Sequence, residues 1–277
     1  MINTYTRFML LAVICCYSLL WQSCKVKNNA GTPTYVHIDS FQFKTNPKWP
    51  GLATSRITTV TVYYNNNSVG TFDLPATVPV LASGTGTLLF TPGIAIDGQN
   101  EQTSMYPFYQ SDTMTLQAQP GKIINILPVT TYYNTVKTRL ISDFSGSSGF
   151  ALYAGNKSLL SNNGIGVIQL SAIGDSSVDS TIQSFSIPEG TSFIEFDYKS
   201  DVPFSVGMQS NLDNAVFANE PIASIRPNSD WKKFYLNINT FISQYKSDNY
   251  HLYIKANLGE GQTSGKLMID NIYVLTL

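Results

Sequence analysis

The chain has 277 residues, 17 basic and 18 acidic side chains, and a charged fraction of 13%, about half the ~25% usual in soluble proteins. No basic block is present to hold a phosphate backbone, which excludes nucleic acid as an electrostatic partner. All three cysteines, Cys15, Cys16 and Cys24, fall at the N-terminal end, so the remainder carries neither a disulfide framework nor a cysteine metal site and must rest on its hydrophobic core.

Residues 1–7 hold one basic residue, Arg7, and no acid. Phe8 to Trp21 is almost wholly apolar, yet shorter than the roughly 20 residues that span a bilayer. A charged start and a short apolar core make the layout of an export signal. It ends at Leu20-Trp21-Gln22-Ser23-Cys24, and the chain turns polar at once with Lys25-Val26-Lys27. This stretch resembles the lipobox of bacterial lipoproteins, in which a small residue precedes an acylated cysteine. Ser23 and Cys24 match; Trp21 and Gln22 depart from the usual Leu and small residue. Cys15 and Cys16 lie inside the apolar core and fit poorly. The resemblance implies a signal peptide over 1–23, lipid on Cys24 as the membrane partner, and a place in the bacterial cell envelope, with the outer membrane expected. An uncleaved anchor and a plain secretory signal are the alternatives. Residues 24–33 read as a polar tether.

From residue 34 the pattern is that of strands. Ser55–Tyr64 alternates Val60, Val62 and Tyr64 with Thr59, Thr61 and Tyr63, then meets the turn signal Asn65-Asn66-Asn67. Thr113–Ala118 alternates likewise, and Gln119-Pro120-Gly121-Lys122 turns the chain into Ile123–Leu127. Short strands with such turns over 34–131 predict an immunoglobulin-like β-sandwich. Leu127–Arg139 has no Gly/Ser-rich or Pro-rich stretch, which predicts a short ordered connection and a rigid pair of domains.

Over 136–277 the alternation resumes. Ile194, Phe196 and Tyr198 are expected inward, with Glu195, Asp197 and Lys199 on a solvated face. Phe204, Val206 and Met208, then Phe234, Leu236 and Ile238, then Leu252, Ile254 and Ala256 repeat the period. Lys266–Leu277 is apolar on both faces, as in a strand covered on both sides, and reads as a structural strand without an appended sorting tail. The expected architecture is all-β: an immunoglobulin-like sandwich followed by a jelly roll.

Two resemblances bear on these halves. Val60-Thr61-Val62-Tyr63-Tyr64-Asn65-Asn66-Asn67-Ser68-Val69-Gly70, with Leu74-Pro75, Leu81, Gly84 and Pro92-Gly93, is similar to the PEGA family of surface-associated β modules, an Asn run replacing the usual Asp-Gly turn. Ser142-Asp143-Phe144, Ser229-Asp230-Trp231-Lys232-Lys233-Phe234-Tyr235-Leu236 and Ile269-Asp270-Asn271-Ile272-Tyr273-Val274 resemble galactose-binding-like and carbohydrate-binding jelly rolls. That second resemblance implies a core position for Trp231. It also implies a structural calcium near Asp143 and Asp270, against which stands an edge Asp and a backbone-bonded Asp, since calcium takes six to eight oxygens. No other cofactor is implied.

Catalytic machinery is sparse. His37 and His251 are the only histidines, each in a strand-like pattern that expects a surface side chain. Gly146-Ser147-Ser148-Gly149 lacks the G-x-S-x-G elbow, and Gly84-Thr85-Gly86 has no lysine for phosphate. Glycoside hydrolysis needs two facing carboxylates; Glu189, Glu195, Glu220 and Glu260 are candidates and none stands out. Binding has better material, because sugar rings stack on exposed aromatics. Trp49, in the loop Asn46–Gly51, and Tyr106, Phe108 and Tyr109, in Met105–Gln110, are the candidate ligand-binding residues. For each, packing at a sandwich end or domain junction is the alternative. The sequence therefore predicts a non-catalytic, lipid-anchored envelope module binding glycan or another envelope protein. A scaffold subunit and, further off, a divergent glycoside hydrolase are the rivals.

Overall fold

The computed structural model describes residues 31–96, 103–212 and 215–277; the signal segment and Cys24 lie outside the described residues. Strand accounts for 58% of the described residues and helix for 4%, so the architecture is all-β, in two β-sandwiches.

The first half comprises β1 (Thr34–Ile38), β2 (Gln42–Phe43), β3 (Thr59–Tyr64), β4 (Asn67–Asp73), β5 (Ala76–Val80), β6 (Thr85–Ala95), β7 (Thr103–Met105), β8 (Asp112–Gln117), β9 (Ile123–Ile126) and β10 (Val129–Thr130). One sheet runs β5-β1-β9 and the facing one β4-β3-β6-β7, with β8 also on β6; β2 and β10 form a separate pair. Val36, Ile38, Val78 and Val80 meet Val60, Val62, Leu88, Phe90 and Leu116 between the sheets. The Asn run works as expected. Asn65 and Asn66 sit at φ 48° and 64°, the left-handed region that a two-residue hairpin with both central residues at positive φ requires and that Asn tolerates. Asn65 Oδ1 accepts the Thr87 amide at 2.8 Å, tying the turn to β6. Gly121, at φ 75°, turns the chain into β9, with the Lys122 amide donating to the Gln119 carbonyl at 3.0 Å.

The second half comprises β11 (Lys137–Ser142), β12 (Phe150–Gly155), β13 (Leu160–Asn162), β14 (Ile165–Leu170), β15 (Ser176–Thr181), β16 (Ser192–Ser200), β17 (Phe204–Leu212), β18 (Ala215–Ile225), β19 (Asn228–Asn237), β20 (Asn249–Asn257) and β21 (Gly265–Thr276), with a short helix α1 (Asn239–Gln244) between β19 and β20. One sheet runs β13-β14-β21-β16-β19, with β11 on β21; the other runs β12-β15-β20-β17-β18. Ile194, Phe196, Val206, Met208, Phe234, Leu236, Leu252, Ile254, Ile272 and Val274 fill the space between them. The inward positions expected of these strands are all present there.

Part of the outer face of the six-stranded sheet is covered and not solvated. Phe193, Tyr235, Tyr273 and Leu275 on it pack against Leu52, Ile94, Tyr106, Phe108 and Tyr109 from the first half and against Tyr132 and Val136 from the connection. This second core explains the last part of β21, Ile272–Thr276, which is apolar on both sides because each side is covered there. It also corrects the expectation for Glu195 and Asp197, which are 0% and 6% exposed; of the three, Lys199 alone stays half-exposed. The connection is ordered through the seam: Tyr132 bridges Tyr109, and the Tyr133 amide donates to the Phe108 carbonyl at 2.9 Å.

Candidate functional site

The seam explains why Tyr106, Phe108 and Tyr109 are not ligand platforms. They are 2%, 0% and 1% exposed, so the expectation of open loop aromatics is corrected. Their rings meet edge-on rather than lying flat: Tyr106 to Phe193 at 5.2 Å, Tyr106 to Tyr235 at 4.9 Å and Phe108 to Phe193 at 5.7 Å. Such pairs suit the quadrupoles of aromatic rings. Trp49 is half-buried at the rim of the same core, edge-on to Tyr132 at 6.3 Å.

Burying hydroxyls demands partners, and Glu195 supplies them. The Tyr106 hydroxyl donates to Oε1 at 2.5 Å and the Tyr132 hydroxyl to Oε2 at 2.6 Å. Lys233 Nζ lies 3.3 Å from Oε2, both side chains fully buried. Tyr109 and Tyr235 share a hydrogen bond of 2.9 Å, and the Arg56 amide donates to the Tyr235 hydroxyl at 2.8 Å. Burial, then the Glu195 charge, pushes the Tyr106 and Tyr132 hydroxyls well above the ordinary phenol range, so both stay protonated donors. For Glu195 this arrangement is a structural bond between halves, closed to any substrate.

Farther along the same face the cover stops and a cleft of about 560 Å³ opens, lined by Thr54, Ser55 and Arg56 from the first half and by Ile165, Asp197, Trp231, Lys232, Lys233, Asp270 and Asn271 from the second. The Thr54 hydroxyl donates to Asp197 Oδ1 at 2.6 Å, and Lys233 Nζ reaches the Thr54 oxygen at 3.3 Å. Asn271 Nδ2 donates to Asp197 Oδ2 at 3.1 Å and to Asp270 Oδ2 at 3.3 Å. Asn271 stands at φ 53°, beside a break in register between Glu195 and Asp197 where β16 pairs with β21. A bulge of this kind re-aims a side chain out of the regular alternation. Gly51 lies so close that an added Cβ would be 2.6 Å from the Tyr273 hydroxyl and 2.8 Å from Asn271 Oδ1; the turn Pro50–Leu52 thus presses the first half against the cleft edge.

Trp231 corrects a second expectation. It was expected in the core, but it is 44% exposed. On β19 it shares its side with Lys233 and Tyr235, which the first half covers; the cover ends before Trp231. The result is a large, partly open ring next to two carboxylates, an amide and the half-exposed Lys232.

Asp143 and Asp270 are near enough to interact. Asp143 Oδ1 takes the Ser145 amide at 3.1 Å and its hydroxyl at 2.7 Å, which hold its carboxyl below the usual range. Asp270 Oδ1 takes the Asn271 amide at 2.7 Å; burial first, then the Asp197 and Asp143 charges, raises its carboxyl. No group of three or more His, Cys, Asp or Glu placed to hold a metal ion occurs among the described residues. His37 and His251 lie on different halves, each bonded to a threonine of a neighbouring strand: Thr77 at 2.9 Å and Thr181 at 3.3 Å. Ser147 belongs to the loop between β11 and β12, and Glu189 pairs with Lys246 on the surface at 3.0 Å.

Fold and seam together define the class: an all-β chain of two packed sandwiches sharing one cleft. No protein-family model matches the chain, and no curated protein matches it. Among solved structures, a variant of the carbohydrate-binding module CBM29-2 complexed with mannohexaose is 14% identical over 51% of this chain and 92% of its own, with a TM-score of 0.38. The module CBM29_1 from Piromyces equi is 13% identical over 52% of this chain and 92% of its own, with a TM-score of 0.36. Likenesses of that size carry nothing about ligand or mechanism.

Proposed function

We propose that this protein is a non-catalytic glycan-binding module, held in the bacterial envelope by lipid on Cys24, and that its site is the cleft at the seam. The observation that carries the reading is Trp231, a flat ring left open beside Asp197, Asp270, Asn271 and Lys232. A sugar offers an apolar ring face for stacking and hydroxyls for polar neighbours, and this cleft offers both complements. Binding of the purified protein to a printed glycan array, with Trp231→Ala alongside, tests it. The expected result is a set of bound glycans whose signal falls at least tenfold in the variant, ~1.4 kcal/mol. Binding that ignores Trp231, or release of shortened sugar from a bound glycan, would overturn it. Anchoring is tested separately: Cys24→Ala should abolish metabolic labelling by a fatty acid, and labelling that persists moves the lipid elsewhere.

A further inference from the structure

The outer face of the six-stranded sheet has an open part beyond the cleft. There Leu160, Ile165, Val167, Gln169, Lys266 and Met268 line a second concavity, of about 780 Å³, over β13, β14 and β21. Ile165 lines both hollows. Trp231 lies on β19 and Leu160 on β13, the two edges of the sheet, and with five strands at roughly 4.8 Å spacing these edges stand roughly 19 Å apart. Leu160 is 63% exposed and Ile165, Val167 and Met268 are half-exposed; Leu160 and Met268 flank Val167 across the strands, with the Gln169–Lys266 pair beside them. The trough therefore sets an apolar strip beside hydrogen-bonding groups, and its charged lining groups are Lys157 and Lys266.

Resting on the glycan reading above, we infer that the two hollows form one groove that takes an extended stretch of a glycan chain, several sugar rings long, from Trp231 over Ile165 to Leu160. Thr54, Ser55 and Arg56 of the first half form one side wall at the Trp231 end, so the full site exists only when both halves are present. A groove running from sheet edge to sheet edge passes the interior of a chain and does not cap its terminus. Continuity through Ile165 favours this occupant over a second copy of the protein.

The test measures binding of neutral oligosaccharides of one to six units, drawn from the glycans of the array, to the whole chain, to Trp231→Ala and to the double variant Gln169→Ala/Met268→Ala. Affinity should climb at least tenfold with length. The double variant, with an unchanged melting temperature, should lose that climb while keeping the short-sugar signal, and Trp231→Ala should lose both. Trp231-dependent binding that is flat with length, or a climb the double variant leaves intact, overturns the groove and leaves the cleft standing. Absence of binding to every glycan sinks both. Sedimentation showing a dimer that the double variant dissolves assigns this face to self-association and overturns the groove.

Discussion

Glu195 shows how much a single side chain can decide. A buried carboxylate is costly unless paired, and here one lysine and two tyrosine hydroxyls satisfy it. Removing one partner leaves the other uncompensated, so Lys233→Ala should cost about 3–5 kcal/mol in urea unfolding. The apolar set Glu195→Leu/Lys233→Met with Tyr106→Phe and Tyr132→Phe, which leaves neither tyrosine hydroxyl without its acceptor, should recover most of that; a set as unstable as the single variant would contradict the account. Asp179 is the opposite case. It is fully buried, its Oδ1 has no partner, and burial raises its carboxyl although the Ser177 hydroxyl donates to it. Because its folded pKa lies above its unfolded one, the folded state holds the extra proton between the two. Stability is thus fully present below the ordinary carboxylate range and is lost as pH rises through the raised value. Asp179→Asn should melt higher than wild type at pH 7, with the gain shrinking as pH is lowered through the carboxylate range. A gain independent of pH would point away from the charge. Neither burial was legible in the sequence, where Glu195 and Asp179 stand in ordinary alternating strands.

At the scale of elements, local chemistry was the more readable part. The β3–β4 hairpin follows from two runs of alternating residues and an Asn turn, because both the period and the left-handed tolerance are properties of neighbours in sequence. Asn66→Val forces a branched residue to φ 64° and should cost about 1–2 kcal/mol by denaturant titration, whereas Asn66→Gly should be close to neutral. Equal losses would mean that Asn66 acts through its amide and not its backbone. The bulge at Asp270–Asn271 had no such signal. A register break depends on the partner strand, and β16 lies about 70 residues away in the chain, as the Asn271–Asp197 bond shows. The cleft was correspondingly half legible: Asp270 and Trp231 were both singled out, but Trp231 as core, since its neighbours across the sheet were unknown.

For the whole molecule, the seam is what makes the two halves interdependent. Phe193, Tyr235, Tyr273 and Leu275, together with the Glu195–Lys233 pair, would face water in a fragment of 137–277. Apolar patches of that kind promote association. The fragment alone should bind a hydrophobic dye and aggregate, while the complete protein should unfold in one calorimetric transition. Two well-separated transitions, with a soluble dye-silent fragment, would show that the seam is a loose contact.

Composition, turns and period-two alternation by themselves determined an all-β chain, the inward side of most strands, a core without disulfides, and an ordered connection in place of a linker. They could not say which outward sides remain outward. Alternation reports that Glu195 and Asp197 share a face, and Trp231 and Lys233 another run of it; whether that face meets water depends on another hundred residues folding onto it. The tertiary structure decided that, taking Tyr106, Phe108 and Tyr109 into the seam and leaving Trp231 at its open edge.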